Sequence, residues 1–482
     1  MNFRLSIGFS LLSQILQSLS AVVASGLIVR TLSGNEIGFW FVLLAAMPFI
    51  GLLDLGLPVT ITREIGFALG QDDSKNRVGK LVKTLLIFKL YIFLALPICV
   101  LVERCFLANH SFVEIVTYYL FVGGCLLRVY WNSCSAILVA VGRNNHDKAI
   151  KGLGSIVYLV SIFLILRKGD SSVDIAIAWL VQSIFLLGAS MFMIFKAVAC
   201  NSVSFQKEQL QILLAPSKEY ILSALPSLGI FNLSVFFVSR FLGPTAVVEL
   251  SLVQQISAVL MSVLTIPSSI SSPILSYLFK SDISKFNEVL KRIYRFSSTS
   301  TAFALLFLLV TKPIWEKIWL GGKAHIGTSF IVLYFVLIFL EIQQVTLTTG
   351  IIASGFVRFS KVAISSVILI VLMFYLLLPK VGIIGVPVGI MVGQLLTCYW
   401  FSPWVSVGRF KWSLRALYRS HLLLLLVAPA AMLVFLISGQ ISLLSLSFLV
   451  SLVLFALMYY FAIRRDLFSD DFKSLGVLNA KI

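Results

Sequence analysis

The sequence predicts an all-α polytopic membrane protein of about fourteen transmembrane helices, with the N and C termini in the cytoplasm. Three observations support this fold class: the composition, the lengths of the apolar segments and the distribution of charge between them. Of the 482 residues, 59% are hydrophobic and only 12% are charged. A soluble chain would have about 25% charged residues. The composition therefore excludes an ordinary soluble protein.

The net charge of +18 does not indicate a nucleic-acid partner in such a chain. Positively charged cytoplasmic loops and anionic lipid headgroups account for a basic balance in a membrane protein. The six cysteines include no CxxC pair, and the four histidines are far apart in sequence. We therefore expect no disulfide framework, no metal site and no cofactor.

The apolar segments give the number of membrane crossings. A bilayer core of about 30 Å needs about 20 apolar helical residues. On this basis we predict fourteen spans: 6–32, 37–61, 84–102, 113–140, 152–166, 173–195, 219–242, 247–278, 296–314, 326–355, 362–379, 383–404, 420–437 and 443–463. The first is too long for a secretory signal, and we interpret it as an uncleaved span.

Loop charge supports this number and gives an orientation. With fourteen spans and a cytoplasmic N-terminus, the inner segments contain roughly three times as many Lys and Arg residues as the outer ones. Each inner loop contributes to the excess, and removing one span would destroy the alternation. We therefore predict that both termini are cytoplasmic.

A weak internal repeat predicts two lobes. When Arg30 is aligned with Arg240, the later pairs Gly142 with Gly355, Lys148 with Lys361 and Gly169 with Gly382 come into register after a short shift. A unit of six spans enters the membrane twice in the same direction, which is a parallel repeat. We predict an N-terminal lobe at 1–200, a C-terminal lobe at 216–404, and two extra helices with a cytoplasmic tail at 405–482.

Prolines predict bends in the equivalent spans 2 and 8. Span 2 contains Pro48 and Pro58, and span 8 ends in TIPSSISSPIL at 265–275. Proline in a membrane helix removes a backbone hydrogen bond, and serine side chains can satisfy the freed carbonyls.

Two stretches carry a family resemblance. Residues 26–64 contain an Arg-Thr-Leu, a small-residue turn, an acidic residue, D-x-G and a closing arginine. Residues 351–361 read IIASGFVRFSK, and 377–389 read LLPKVGIIGVPVG. The chain resembles the polysaccharide transporter family of the multidrug/oligosaccharidyl-lipid/polysaccharide exporter superfamily, which includes bacterial O-antigen flippases.

The resemblance implies a two-lobed transporter of the bacterial inner membrane. Its expected substrate is an undecaprenyl-diphosphate-linked oligosaccharide, an O-antigen or capsule unit, moved from the inner to the outer leaflet by alternating access. Expected partners are membrane lipids, a proton or another cation, and the glycan polymerase machinery of lipopolysaccharide biosynthesis.

Arg30 and Arg240 are candidates for binding the diphosphate. They lie near the predicted outer ends of spans 1 and 7, and guanidinium groups suit phosphate oxygens. The alternative is that each extends to the headgroups or caps a helix C-terminus. Glu249 is close enough in sequence to neutralise Arg240.

Three further charges lie within predicted spans of the first lobe. Asp54 is surrounded by apolar residues, and we expect it to pair with Arg128 near the middle of span 4 or with Arg63. Lys89 lies inside span 3, where it can extend to the inner surface or contact substrate. Arg128 is a candidate for substrate binding as well.

Glu341 occupies the repeat position of Arg128 in the second lobe. The two residues could pair directly, or Glu341 could face a cavity together with Gln343 or Gln344. A carboxyl group in a low-dielectric site can exchange protons, so Glu341 or Asp54 is a candidate coupling site. A purely structural ion pair is the alternative.

Two other functions remain possible. A cation-coupled multidrug exporter would have the same fold. A membrane glycan polymerase or ligase would need an outer loop with catalytic carboxylates or histidines. The longest predicted outer loops, 103–112 and 315–325, are too short for such a chamber. We therefore expect a transporter and not an enzyme.

Overall fold

The computed structural model describes residues 3–69, 74–95, 97, 99–101, 111–165, 171–197, 206–214, 231–354 and 360–410. All regular structure in these residues is helical, and none of them belongs to a β-strand. This confirms the predicted all-α polytopic fold class. The chain divides into two compact units, Met1–Leu252 and Val253–Ile482. The assignment of lobes to 1–200 and 216–404 stays a prediction.

The first unit contains two short 3₁₀ turns, at Gly51–Asp54 and Lys89–Ala95. Its described helices are α1 (Phe3–Thr31), α2 (Gly34–Ile50), α3 (Leu57–Leu69), α4 (Ser74–Phe88), α5 (Phe112–Ala140), α6 (Asn144–Ile165), α7 (Ser172–Ala197), α8 (Lys207–Leu214) and α9 (Phe231–Leu242).

Helix α10 (Pro244–Leu264) runs from the first unit into the second. The described helices that follow are α11 (Ile266–Ser281), α12 (Ile283–Val310), α13 (Lys312–Leu320), α14 (Thr328–Ala353), α15 (Ser360–Val381), α16 (Gly385–Leu395) and α17 (Cys398–Phe410). A 3₁₀ turn at Gly382–Ile384 joins α15 to α16.

Ten segments of the described chain are long and apolar enough to cross a membrane. The first nine each overlap one predicted span. The tenth, Lys361–Phe410, has 50 residues and is interrupted at Gly382, whose φ of +63° ends α15, so it contains two predicted spans. Span 219–242 is described only from Phe231, and spans 420–437 and 443–463 lie outside the described residues.

Several predicted spans are interrupted rather than continuous, among them spans 2, 3 and 8. Span 2 breaks after Asp54, where Leu55 (φ +55°) and Gly56 (φ +70°) adopt left-handed backbone conformations. Span 3 changes to a 3₁₀ turn at Lys89. Span 8 breaks at Thr265, and Pro267 lies in the first turn of α11, where its missing N–H costs no helical bond. The breaks in spans 2 and 8 agree with the bends predicted from their prolines.

Helix α5 is at the centre of the first unit and packs most extensively against α7. The contact is close because Gly124 has no side chain: a Cβ atom there would lie 2.6 Å from Cδ1 of Trp179. Trp40 and Phe121 complete a buried aromatic cluster around the Trp179 ring. This packing holds Trp179 against α5.

Helix α14 has the corresponding central position in the second unit, where it packs against α11, α12, α16 and α17. A Cβ atom on Gly350 would lie 2.5 Å from Cδ2 of Leu290, so glycine permits close approach here too. Helix α14 carries Glu341 in its buried interior.

Adjacent glycines on α5 provide a test of this packing. We expect Gly124→Val to lower stability by about 1–3 kcal/mol, because its side chain overlaps Trp179 and the core must shift. Gly123→Val carries the same helix-propensity change, but a Cβ atom there lies 4.0 Å from Leu180, an ordinary contact. Thermal unfolding in detergent measures both variants. Equal losses of stability would contradict the close α5–α7 packing.

Candidate functional site

The first intramembrane site is an ion pair between Asp54 and Lys89. Asp54 ends the 3₁₀ turn after α2, and Lys89 begins the one after α4. The Lys89 ammonium donates a hydrogen bond to Asp54 Oδ1 and lies 3.5 Å from the carbonyl oxygen of Val129. Lys89 is 0% exposed. The pair is therefore enclosed within the first unit.

This arrangement corrects two expectations. Asp54 pairs with Lys89 rather than with Arg128 or Arg63, and Arg63 forms a 3.0 Å ion pair with its neighbour Glu64. Lys89 does not extend to the membrane surface, because its ammonium group is buried beside Asp54. The sequence could not show this, since the pair depends on two helix breaks meeting at one depth.

Tyrosines satisfy carbonyls near both breaks. The Tyr91 hydroxyl donates to the carbonyl of Leu53, and the Tyr130 hydroxyl donates to the carbonyl of Leu86 at 2.8 Å. Interrupted helix at membrane depth is tolerated only where other groups bond the freed backbone. The two tyrosines meet that need on either side of the ion pair.

Arg128 lies on α5 and is held by residues of α7. Its Nε donates to the Ser183 hydroxyl at 3.1 Å, and its Nη2 donates to Oε1 of Gln182. The guanidinium carbon lies 3.3 Å from the centre of the Trp179 ring. Within the described residues of the first unit, Arg128 forms no ion pair with a carboxylate. Among the described residues of this unit, neutral groups hold the cation.

Asn132 connects the two features. It lies one helical turn after Arg128 on the same face of α5, and it is exposed. Asn132 and Ser133 also lie beside the Asp54 carboxylate. An exposed polar side chain at membrane depth is costly in lipid, so this face indicates a water-accessible space.

The remaining charged candidates of the first unit lie near helix ends. Arg30 is exposed in the last turn of α1, and Arg240 is exposed near the end of α9. Glu249 is half-buried on α10. Their proposed roles in phosphate binding and coupling stay predictions.

The second unit buries one carboxylate among neutral donors. Glu341 is only 6% exposed, and it accepts hydrogen bonds from the Tyr399 hydroxyl at 2.9 Å and from the Gln394 amide. Within the described part of this unit, it forms no ion pair with a basic residue. Its role in coupling, and the expected pairing with Arg128, stay predictions.

The expected glutamine neighbours of Glu341 have other partners. Gln343 accepts a hydrogen bond from the Tyr294 hydroxyl at 3.0 Å, and Gln344 donates to the Ser402 hydroxyl at 2.8 Å. Sequence analysis missed Gln394 and Tyr399. A glutamine inside the apolar run GIMVGQLL is the signal that could have identified Gln394 as a buried polar group.

The described residues contain no group of three or more His, Cys, Asp or Glu side chains that could hold a metal ion. The four cysteines among them are free.

No protein-family model matches the sequence, and no curated protein matches it. Several solved structures share its fold. The inward-facing form of a multidrug resistance MATE family transporter of the MOP superfamily, the exporter superfamily named above, has a TM-score of 0.66 and 17% identity, with 82% of this chain and 95% of that chain covered.

The lipid II flippase MurJ, in an inward closed conformation, has a TM-score of 0.70 and 14% identity, with 96% of this chain and 100% of that chain covered. A MOP superfamily transporter from Pyrococcus furiosus has a TM-score of 0.55 and 16% identity, with 85% and 96% covered. The chain thus has the MOP exporter fold, in agreement with the resemblance read from its sequence. All three neighbours are transporters, and none is an enzyme.

The Asp54–Lys89 pair gives a stability prediction. We expect Lys89→Met to cost about 3–5 kcal/mol, because it leaves a buried carboxylate without its partner. Adding Asp54→Asn should recover much of that loss, because no buried charge then remains. Unfolding midpoints of the two variants and the wild type measure this. If the double variant is as unstable as Lys89→Met, the pair does not neutralise Asp54.

Proposed function

We propose that the protein is a flippase for an undecaprenyl-diphosphate-linked oligosaccharide, an O-antigen or capsule repeat unit. It would move this lipid from the inner to the outer leaflet of the bacterial inner membrane by alternating access. The fold it shares with MurJ and MATE transporters supports a transporter or flippase. Arg128 is the observation that favours an anionic substrate.

A guanidinium inside a membrane span is costly when no anion accompanies it. Arg128 has a ring, a hydroxyl and an amide around it, and none of these carries negative charge. Its Nη1 has no hydrogen-bond partner among the described residues of the first unit. Guanidinium groups bind the paired oxygens of phosphate well. Arg128 is therefore suited to a diphosphate that arrives with the substrate.

Arg30 and Arg240 complete the proposed phosphate path. Both are exposed near the predicted outer ends of their spans, where a diphosphate would be released. The glycan itself would be recognised by polar and aromatic groups that the sequence does not identify.

A cation-coupled multidrug exporter is the second candidate, and Glu341 favours it. A buried carboxylate with only neutral donors around it attracts a cation or a proton. An organic cation could occupy that site directly. The same group serves the flippase hypothesis if it carries the coupling proton instead.

Native mass spectrometry of the purified protein distinguishes the candidates. Incubated with undecaprenyl diphosphate, the wild type should retain the lipid, and Arg128→Gln should bind it at least about tenfold more weakly, because a charge-assisted bidentate contact is lost. Arg63→Gln is the matched control, since it removes an exposed guanidinium of the same unit that pairs with its neighbour Glu64. Retention of organic cations but no polyprenyl diphosphate would favour the drug exporter.

A second experiment tests proton coupling. Glu341→Gln keeps the shape and can still accept from Tyr399, but it cannot exchange a proton. In proteoliposomes with an imposed pH gradient, we expect this variant to lose the gradient-dependent part of substrate translocation. Glu288→Gln is the control, because Glu288 is an exposed residue paired with Arg292. Wild-type gradient dependence in Glu341→Gln would remove Glu341 from the coupling site.

A further inference from the structure

The Asp54–Lys89 pair lies next to Arg128 along α5. The Lys89 ammonium contacts the carbonyl of Val129, the residue that follows Arg128. The Asp54 carboxylate lies beside Asn132 and Ser133, one turn further along the helix. One turn is about 5.4 Å. A second cation is therefore enclosed within about a turn of the proposed phosphate-binding arginine.

We propose that Lys89 is a second phosphate-binding cation. Its ion pair with Asp54 persists until the substrate anion displaces the Asp54 carboxylate. In this exchange the Lys89 ammonium keeps its charge and moves from the Asp54 carboxylate to a phosphate oxygen. The Asp54 carboxylate takes up one proton from the buffered solution and becomes a neutral acid. The inference rests on the proposed function, because it assigns the anion to the site of Arg128.

The two members of the ion pair differ in their exposure to an entering anion. Lys89 is 0% exposed, Asp54 is 9% exposed, and Asn132 beside it is exposed. An anion that enters along the face of Arg128 and Asn132 therefore reaches the carboxylate side of the pair first. Asn132 can donate a hydrogen bond to the incoming phosphate while the pair opens.

Charge balance explains why a proton must accompany the exchange. A buried ion pair that loses one partner leaves an uncompensated charge, which is strongly unfavourable. The phosphate compensates Lys89, and protonation compensates Asp54. The protonated acid lies near Asn132 and the buried hydroxyl of Ser133, both of which could form a hydrogen bond with it. No bare charge remains in either state.

The titratable groups around the pair do not compete with Asp54 for the proton. From the turn of Lys89, the Tyr91 phenol faces the site and donates to the carbonyl of Leu53. From α5, the Cys134 thiol lies near Lys89, beside Asn132 and Ser133. All of these groups are neutral at neutral pH. Within the described first unit, Asp54 is thus the group that responds to the anion by taking up a proton.

The backbone around the pair allows the Asp54 or Lys89 side chain to shift locally. Asp54 and Lys89 both lie on 3₁₀ turns, next to helix breaks, rather than within regular α-helix. The left-handed Leu55 follows Asp54 directly. A shift of either side chain therefore does not require a whole membrane helix to move.

Calorimetry with inorganic pyrophosphate tests the exchange. In purified wild-type protein, we expect binding with uptake of about one proton more than in Asp54→Asn, measured in buffers of different ionisation enthalpy. Asp54→Asn should bind pyrophosphate about tenfold more tightly, because Lys89 is then always available.

The double variant Asp54→Asn/Lys89→Met should lose that gain and tests Lys89 without leaving a bare buried charge. Asp147→Asn, which removes another buried aspartate paired with a lysine, should bind like the wild type.

The outcomes separate this inference from the proposed function. If Arg128→Gln weakens pyrophosphate binding while Asp54→Asn matches the wild type in affinity and proton uptake, the exchange is wrong and the phosphate site at Arg128 stands. If the double variant keeps the affinity of Asp54→Asn, Lys89 is not a ligand. If Arg128→Gln has no effect on binding, the proposed phosphate site itself is wrong.

Discussion

The cost of placing charge inside a membrane is the constraint on which the functional reading depends. Hydrocarbon offers no water, so each charged or polar group must find its partner within the protein, in a water-filled space or in a ligand. The chain meets this requirement in three ways: Asp54 pairs with Lys89, Arg128 lies against a ring and two neutral oxygens, and Glu341 accepts bonds from neutral donors. Among the described residues of each unit, only the first is neutral by itself, and the other two each leave one ionisable group without a counter-charge.

The breaks in the helices follow from the same constraint. A continuous span 2 would bond its own backbone completely, yet the helix ends at Ile50 and resumes at Leu57. The interruption places Asp54 on a turn within reach of Lys89, which begins a turn of its own. Tyr91 and Tyr130 then bond carbonyls near the breaks. Close packing also supports the neighbouring part of α5, where Gly124 admits Trp179 and Trp179 faces the Arg128 guanidinium. Gly124, Arg128 and Trp179 therefore pack together as one cluster.

Most of the fold was predictable from the sequence, because span length and apolar composition are properties of short segments. The ten candidate spans agree with this, and the broken spans 2 and 8 agree with Pro48, Pro58 and Pro267.

The partners inside the site were much less predictable. Asp54 was expected to pair with an arginine, and Gln394 and Tyr399 were not recognised as partners of Glu341. Those contacts join residues 35 to 58 positions apart. They depend on how whole helices are rotated and where they break, which local pattern does not determine.

The unbalanced charges have opposite sign in the two units, and this difference bears on function. Arg128 and Glu341 occupy equivalent positions in the predicted repeat, so that repeat would carry a cation at this position in one unit and an acid in the other. A drug exporter specific for cations gains nothing from a half-buried arginine that has no counter-ion among the described residues of its unit, because that charge repels its substrate. A flippase that moves a lipid diphosphate and is coupled to protons has a use for both charges: the diphosphate neutralises Arg128, and a proton neutralises Glu341.

The pair of Asp54 and Lys89 extends this logic, since it can add a second cation to the anion site only when Asp54 gains a proton. On this reading anion binding and proton uptake are linked within the first unit itself, whatever the second unit contributes.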